Sequence, residues 1–206
     1  MYNTNMDRRL KYASIAISGR PGAGRSTLLR NLRPRLEPLG WEFFSGGDWS
    51  RQFAIKAGKH KAADPRHHLA TDYGDDVDHK IDAAMRKKLS NPGAHVAVES
   101  WIAGWNMRGL THVLKVLLTC DEALLIDRVV NRDNITVADA KKHLRERQKA
   151  NFSKWKRMYG VTDFWDAKYF DLVINTYSHG PLETLNIVLQ ALGYFNNQGQ
   201  PPKKRE

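Results

Sequence analysis

The 206 residues, 41% of them apolar, suffice for one buried core carrying small insertions rather than several independent domains. A formal charge of +11 points to polyanionic ligands (nucleotides, nucleic acid or an acidic surface) unless it marks only a basic solvated surface. The lone Cys120 excludes an internal disulfide; with no signal peptide and no apolar run of about 18 residues, the expectation is a soluble, cytoplasmic, monomeric protein without membrane attachment.

Residues 1–12 are polar and predict a frayed or surface-bound terminus. From Ser14 to Thr27 the chain reads SIAISGRPGAGRST. Small and β-branched residues predict a buried strand, and the following run fits the phosphate-cradling pattern G-x-x-x-x-G-K-[ST] with Arg25 in the lysine place. Gly19, Gly22 and Gly24 let backbone N–H groups close on a polyphosphate, and a helix opening at Arg25 adds its dipole. The expected polyphosphate site, which the resemblance described below makes an ATP site, is therefore Gly19, Arg20, Pro21, Gly22, Ala23, Gly24, Arg25, Ser26 and Thr27, with the Ser26 hydroxyl on Mg²⁺. Arg25 keeps the charge on a bulkier planar head. The periodicity of Leu28, Leu29, Leu32 and Leu36 supplies the buried face of the helix.

Trp41 to Phe44 predicts a second strand, and Asp48 an N-cap for a helix to about Ala57. Residues 58–68, GKHKAADPRHH, read as an exposed basic loop; His60, His67 and His68 lack a second cluster of metal ligands, so solvent exposure is preferred over a metal site. A polar helix over Val77 to Leu89 carries Asp78 and Asp82 on one face, where a solvated pair is the ordinary expectation. The strand at residues 95–100 delivers Glu99 to its carboxyl end, where ligands sit in open α/β sheets. Glu99 is either an outer ligand of Mg²⁺, acting through water, or a strand-end carboxylate paired with a lysine.

Val113 to Leu118 is the next strand, followed by a helix capped by Asp121 that holds Arg128 and Arg132 one turn apart. Thr136 and Asp139 resemble a capping box for a long helix to about Met158. Its apolar stripe is Val137, Ala140, Leu144, Trp155 and Met158; His143, Arg147 and Lys154 share another face, with Arg145 pointing elsewhere. Asp171 to Asn175 predicts a fifth strand, Gly180-Pro181 opens a last helix ending near Gly193, and residues 197–206 form a basic, disordered tail. Strands alternating with helices after a phosphate loop predict an α/β fold, three layers around a five-stranded, mostly parallel sheet.

These residues resemble the nucleoside monophosphate kinases, and within them the archaeal-type cytidylate kinases. The likeness spans roughly residues 14–192 and is carried by ISGRPGAGRST, SGGDWSR at 45–51, DDVDHKID at 75–82, AVESWIAGW at 97–105, RVVNRDNITVADA at 128–140, RERQ at 145–148, KRMYGV at 156–161 and FDLVINT at 170–176. The resemblance implies one kinase domain over residues 1–196, with an acceptor-binding region at about 48–90 and a lid at about 132–160. It implies transfer of the γ-phosphoryl of ATP, with Mg²⁺, to CMP or dCMP. Asp48, Arg51, Asp78 and Asp82 then fall on the acceptor, and Arg25, Arg128, Arg132, Arg145, Arg147 and Lys154 supply cations to the transferring group. The chain departs from the family at Ser100-Trp101, where Gly-Arg is usual, so that Trp101 either stacks on the acceptor base or fills core. Two other functions fit the residues: an ATP-binding regulatory protein without turnover, suggested by Arg25 and Trp101, and a P-loop kinase or binder acting on nucleic acid, suggested by the charge but not favoured.

Overall fold

Five parallel strands in the order β2-β3-β1-β4-β5 form the centre of the computed structural model, which describes residues 10–58, 61 and 74–194. The strands are β1 (Ser14–Gly19), β2 (Glu42–Ser45), β3 (Val96–Glu99), β4 (Val113–Thr119) and β5 (Leu172–Asn175). Between them run α1 (Arg25–Leu36), α2 (Gly46–Lys56), α3 (Asp75–Leu89), the short α4 (Ala103–Asn106), α5 (Glu122–Asp133), α6 (Val137–Tyr159) and α7 (Pro181–Leu192). His60, His67, His68, most of the basic loop, residues 1–9 and the tail expected to be disordered lie outside the described residues.

The pleat sorts β1 between two layers. Ile15 and Ile17 pack with Leu28, Leu32 and Leu36 of α1 and with Leu185, Val188 and Leu189 of α7. Ala16 faces the other way, toward Val77, Ile81, Met85 and Leu89 of α3. Burial of both faces explains why β1, β3 and β4 read as apolar runs rather than alternating ones.

Register brings the functional ends together. Ile17 pairs with Glu99, Ser45 with Glu99, and Gly19 with Leu118, so the carboxyl ends of β1, β2 and β3 emerge at one edge. The connection from β1 leads to β2 on one side and that from β3 to β4 on the other, which opens a crevice between β1 and β3.

Local differences from expectation have physical causes. The α2 N-cap is Ser45, whose side chain accepts from the Asp48 N–H, so Asp48 is the third helical residue rather than the cap. Val137 is 53% exposed; α6 instead buries Ala140 and Leu144 against α5, and the face carrying His143, Arg147 and Lys154 is also buried. Of the terminus expected to fray or bind the surface, Leu10 and Tyr12 pack on the core and the Lys11 N–H donates to Leu192 O. Among the described residues no helix is long and apolar enough to cross a membrane.

Candidate active site

The loop from Gly19 to Gly24 turns away from β1 through backbone angles that a side chain resists. Gly22 has φ +82°, and a Cβ there would lie 2.9 Å from Leu125 O at the start of α5. Gly24 is the N-cap of α1 and no side chain caps it, so the first amides of that helix are presented at the loop's mouth.

The loop's carbonyls are fastened from outside. Arg128 Nη1 donates to Gly22 O and to Thr176 Oγ1, each at 3.0 Å, and Nη2 donates to Thr176 O at 2.9 Å. The Thr176 hydroxyl lies 3.1 Å from Ala23 O. Arg128 thus fastens the loop's backbone while still lining the cleft on the loop.

Glu99 gathers the other side. It is 2% exposed; Arg25 Nη1 donates to one carboxylate oxygen at 2.8 Å, and Ser45 Oγ and Ser26 Oγ donate to the other at 2.6 and 3.3 Å. The partner of this strand-end carboxylate is therefore the loop's own arginine, not a lysine. Burial pulls the Arg25 pKa below its ordinary value; Glu99 opposes the shift and Arg132 adds to it.

A cleft of about 600 Å³ opens above these residues. Its wall carries the cations Arg20, Arg25, Arg30, Arg128, Arg132 and Arg147, against the carboxylates Asp48 and Glu99. Pro21, Gly22, Gly24, Ser26 and Thr27 complete the loop side, whereas Gly19 and Ala23 are turned into the fold, Ala23 being 1% exposed. Arg132 also forms a two-pronged pair with its neighbour Asp133, at 2.6 and 2.8 Å. Half-buried Arg51 does not line the cleft, and exposed Arg145 lines a separate groove along α5, as its place on α6 predicts.

Beside the cleft lies a smaller pocket of about 60 Å³. Asp78, Asp82, Ser50, Ser100, Asn151 and Trp155 line it, and the two cavities share Gly47, Trp101 and Arg147. The Ser100 hydroxyl is buried there without a hydrogen-bond partner among the described residues.

Asp78 and Asp82 do not form a solvated pair. Lys154 Nζ sits 2.5 Å from Asp78, with both side chains largely buried, and the Tyr159 hydroxyl donates to Asp82. Lys154 is accordingly directed to the acidic face of α3 and does not line the cleft where the resemblance places it. Burial raises Asp78 despite the opposing Lys154 charge. Burial also raises Asp82, to about 7; the Tyr159 bond opposes this and the Asp78 charge adds to it.

A carboxyl whose folded pKa is raised binds its proton more tightly in the native state than in the unfolded one. Stability from this group is therefore lost as pH climbs from the unfolded value toward 7. Asp82→Asn is expected to remove that loss, about 2 kcal/mol after discounting bare linkage for solvent at the pocket edge, or roughly 5 °C in Tm. Thermal melts of both proteins from pH 5 to 8 check it, and parallel profiles would contradict it.

Several residues outside the expected set also face the cleft. Thr176 and His179, from the turn after β5, and Pro181 and Thr184, in the first turn of α7, line it. Their signal was available, since Thr176 follows the carboxyl end of a predicted parallel strand. Ser45 had none beyond its place at the end of β2.

The described residues hold no group of three His, Cys, Asp or Glu suited to a metal ion. The Ser26 hydroxyl beside the Glu99 carboxylate nevertheless fits Mg²⁺, which takes few protein oxygens and completes its shell with phosphate and water.

Comparison with known proteins agrees with this geometry. A family model described as AAA domain matches residues 15–152. A cytidylate kinase of Haloarcula marismortui is 30% identical over 92% of this chain and 94% of its own, and one of Methanothrix thermoacetophila is 31% identical over 86% and 96%. A gluconokinase from Sinorhizobium meliloti 1021 shares the fold, with a TM-score of 0.54 at 16% identity over 90% of this chain and 94% of that one. Matched along most of its length by such relatives, and folded around the loop they would require, the chain belongs to the archaeal cytidylate kinase family of P-loop nucleoside monophosphate kinases.

Proposed function

We propose that the protein transfers the γ-phosphoryl group of ATP to CMP or dCMP, working with Mg²⁺ as a cytoplasmic monomer. The observation that carries this is the adjacency of a cationic cleft on the phosphate loop to a second pocket lined by two carboxylates, with Trp101 and Arg147 in the wall between them. On this reading residues 48–90 include the acceptor region, 132–160 the lid, and 197–206 a basic tail.

Phosphoryl transfer asks for alignment and for positive charge around the moving group rather than for a covalent nucleophile. The loop amides and the N-terminus of α1 hold the donor's phosphates, and Arg132 and Arg147 balance the charge that develops on the equatorial oxygens. Arg25 leaves Glu99 for the phosphates when the donor enters. Ser26 and, through water, Glu99 would hold Mg²⁺, which would offset the negative charge of the phosphates. Asp48 and Arg51, both on α2, orient the acceptor.

The small pocket suits cytosine. An ionised carboxylate accepts from the exocyclic amine, whereas a protonated one donates to the adjacent ring nitrogen. Asp78 and Asp82, the latter titrating near 7, provide that combination once Lys154 and Tyr159 give way. Uracil presents the opposite edge and is disfavoured.

A coupled assay of ADP release over CMP, dCMP, UMP, AMP and GMP, with and without an RNA oligomer, tests the proposal. CMP or dCMP is expected to exceed the others by about tenfold or more, the discrimination of one well-placed hydrogen-bonded pair, with no effect of RNA. ATP binding without turnover would favour a regulatory protein, and RNA-dependent release a nucleic-acid kinase.

A further inference from the structure

Trp101 is 8% exposed and lines both cavities, which a simple core filler would not do. Its backbone is tied to the phosphate loop, since its carbonyl accepts from the Gly19 N–H at 3.4 Å and from Trp165 Nε1 at 2.8 Å. Its ring is held by Trp165, stacked at 6.0 Å with 21° between planes, and by the edge of Trp155 at 5.7 Å. Against it sits the Arg147 guanidinium, 5.3 Å from the ring. A long arginine side chain from α6 is thereby given a fixed place relative to a loop more than 100 residues earlier in sequence.

We infer that Trp101 is a positioning residue, whose indole holds the Arg147 guanidinium where the donor cleft and the acceptor-side pocket meet. The inference rests on the kinase reading for its purpose, because a phosphoryl group moving between the two cavities passes this wall. Its geometry is independent of that reading. An indole is suited to the task because it attracts the cation without neutralising it.

A double-mutant cycle over Trp101→Leu, Arg147→Met and their combination tests it, with Trp101→Phe as the variant that keeps a π face. Trp101→Met, of about the same volume as leucine but longer and more adaptable, also lacks one and carries the test should the leucine variant pack too loosely. Two quantities are read: the Kd for inorganic pyrophosphate by calorimetry, and kcat with saturating ATP and CMP. Each single change is expected to weaken pyrophosphate about tenfold, the worth of one charge-assisted contact, and to lower kcat about a hundredfold. The combination should be no worse than Arg147→Met alone, and Trp101→Phe should stay within about threefold of the parent. Losses that multiply, or unchanged pyrophosphate affinity in both Trp101→Leu and Trp101→Met, would overturn the inference. Absence of CMP-dependent turnover in the parent protein, with coupling in pyrophosphate binding intact, would overturn only the kinase reading.

Discussion

Replacing Arg25 by Met is expected to lower kcat at least a hundredfold, about 2.7 kcal/mol of transition-state stabilisation, and to destabilise the fold by about 3 kcal/mol. The two losses have different origins. Activity falls because the loop's cation no longer reaches the phosphates. Stability falls because Glu99, 2% exposed, keeps only its two serine donors and becomes a buried carboxylate without a counter-charge. Adding Glu99→Gln should therefore restore most of the stability and none of the turnover. Urea unfolding of the two variants separates these effects, and an Arg25→Met protein as stable as the parent would refute the assignment of that ion pair.

Gly22→Ala is expected to weaken ATP binding by about a hundredfold or more, roughly 2.7 kcal/mol. The left-handed backbone at φ +82° costs an alanine about 1 to 2 kcal/mol. The new Cβ would also meet the backbone of Leu125, which cannot rotate away as a side chain can, so the loop must shift and its amides lose their aim. Gly40→Ala is the control: φ is +85° but nothing lies within 4 Å, so stability should fall by about 1 kcal/mol with ATP affinity unchanged. Calorimetric titration with Mg·ATP distinguishes the outcomes, and equal affinities for the two variants would remove the contact argument.

The legible parts of this molecule were those governed by neighbours in sequence. Glycine spacing and the leucines of α1 announced the loop and its helix, Thr136 and Asp139 announced the start of α6, and Pro181 that of α7. Cap-forming chemistry alone did not separate Ser45 from Asp48, since both are cap residues three positions apart and only the strand's end decides. The surroundings of the α6 face carrying Arg147 and Lys154 were not legible, because what covers it comes from elsewhere: the Trp101 cluster on one part and the acidic face of α3 on another. The resemblance assigned Arg128 to the transferring group, but its hold on Gly22 spans 106 residues and leaves no local pattern.

That hold has a thermodynamic consequence. A peptide plane carries its N–H opposite its C=O, so pinning the carbonyls of Gly22 and Ala23 against Arg128 and Thr176 orients the following amides before any nucleotide arrives. The loop backbone is thus pre-organised for the donor, although the Arg25 side chain has still to exchange Glu99 for phosphate. On the proposed reading of the acceptor side, Lys154 and Tyr159 release Asp78 and Asp82 first. On that reading the asymmetry favours an ordered encounter in which the donor docks on a preset loop backbone and the acceptor selects a rarer, opened population.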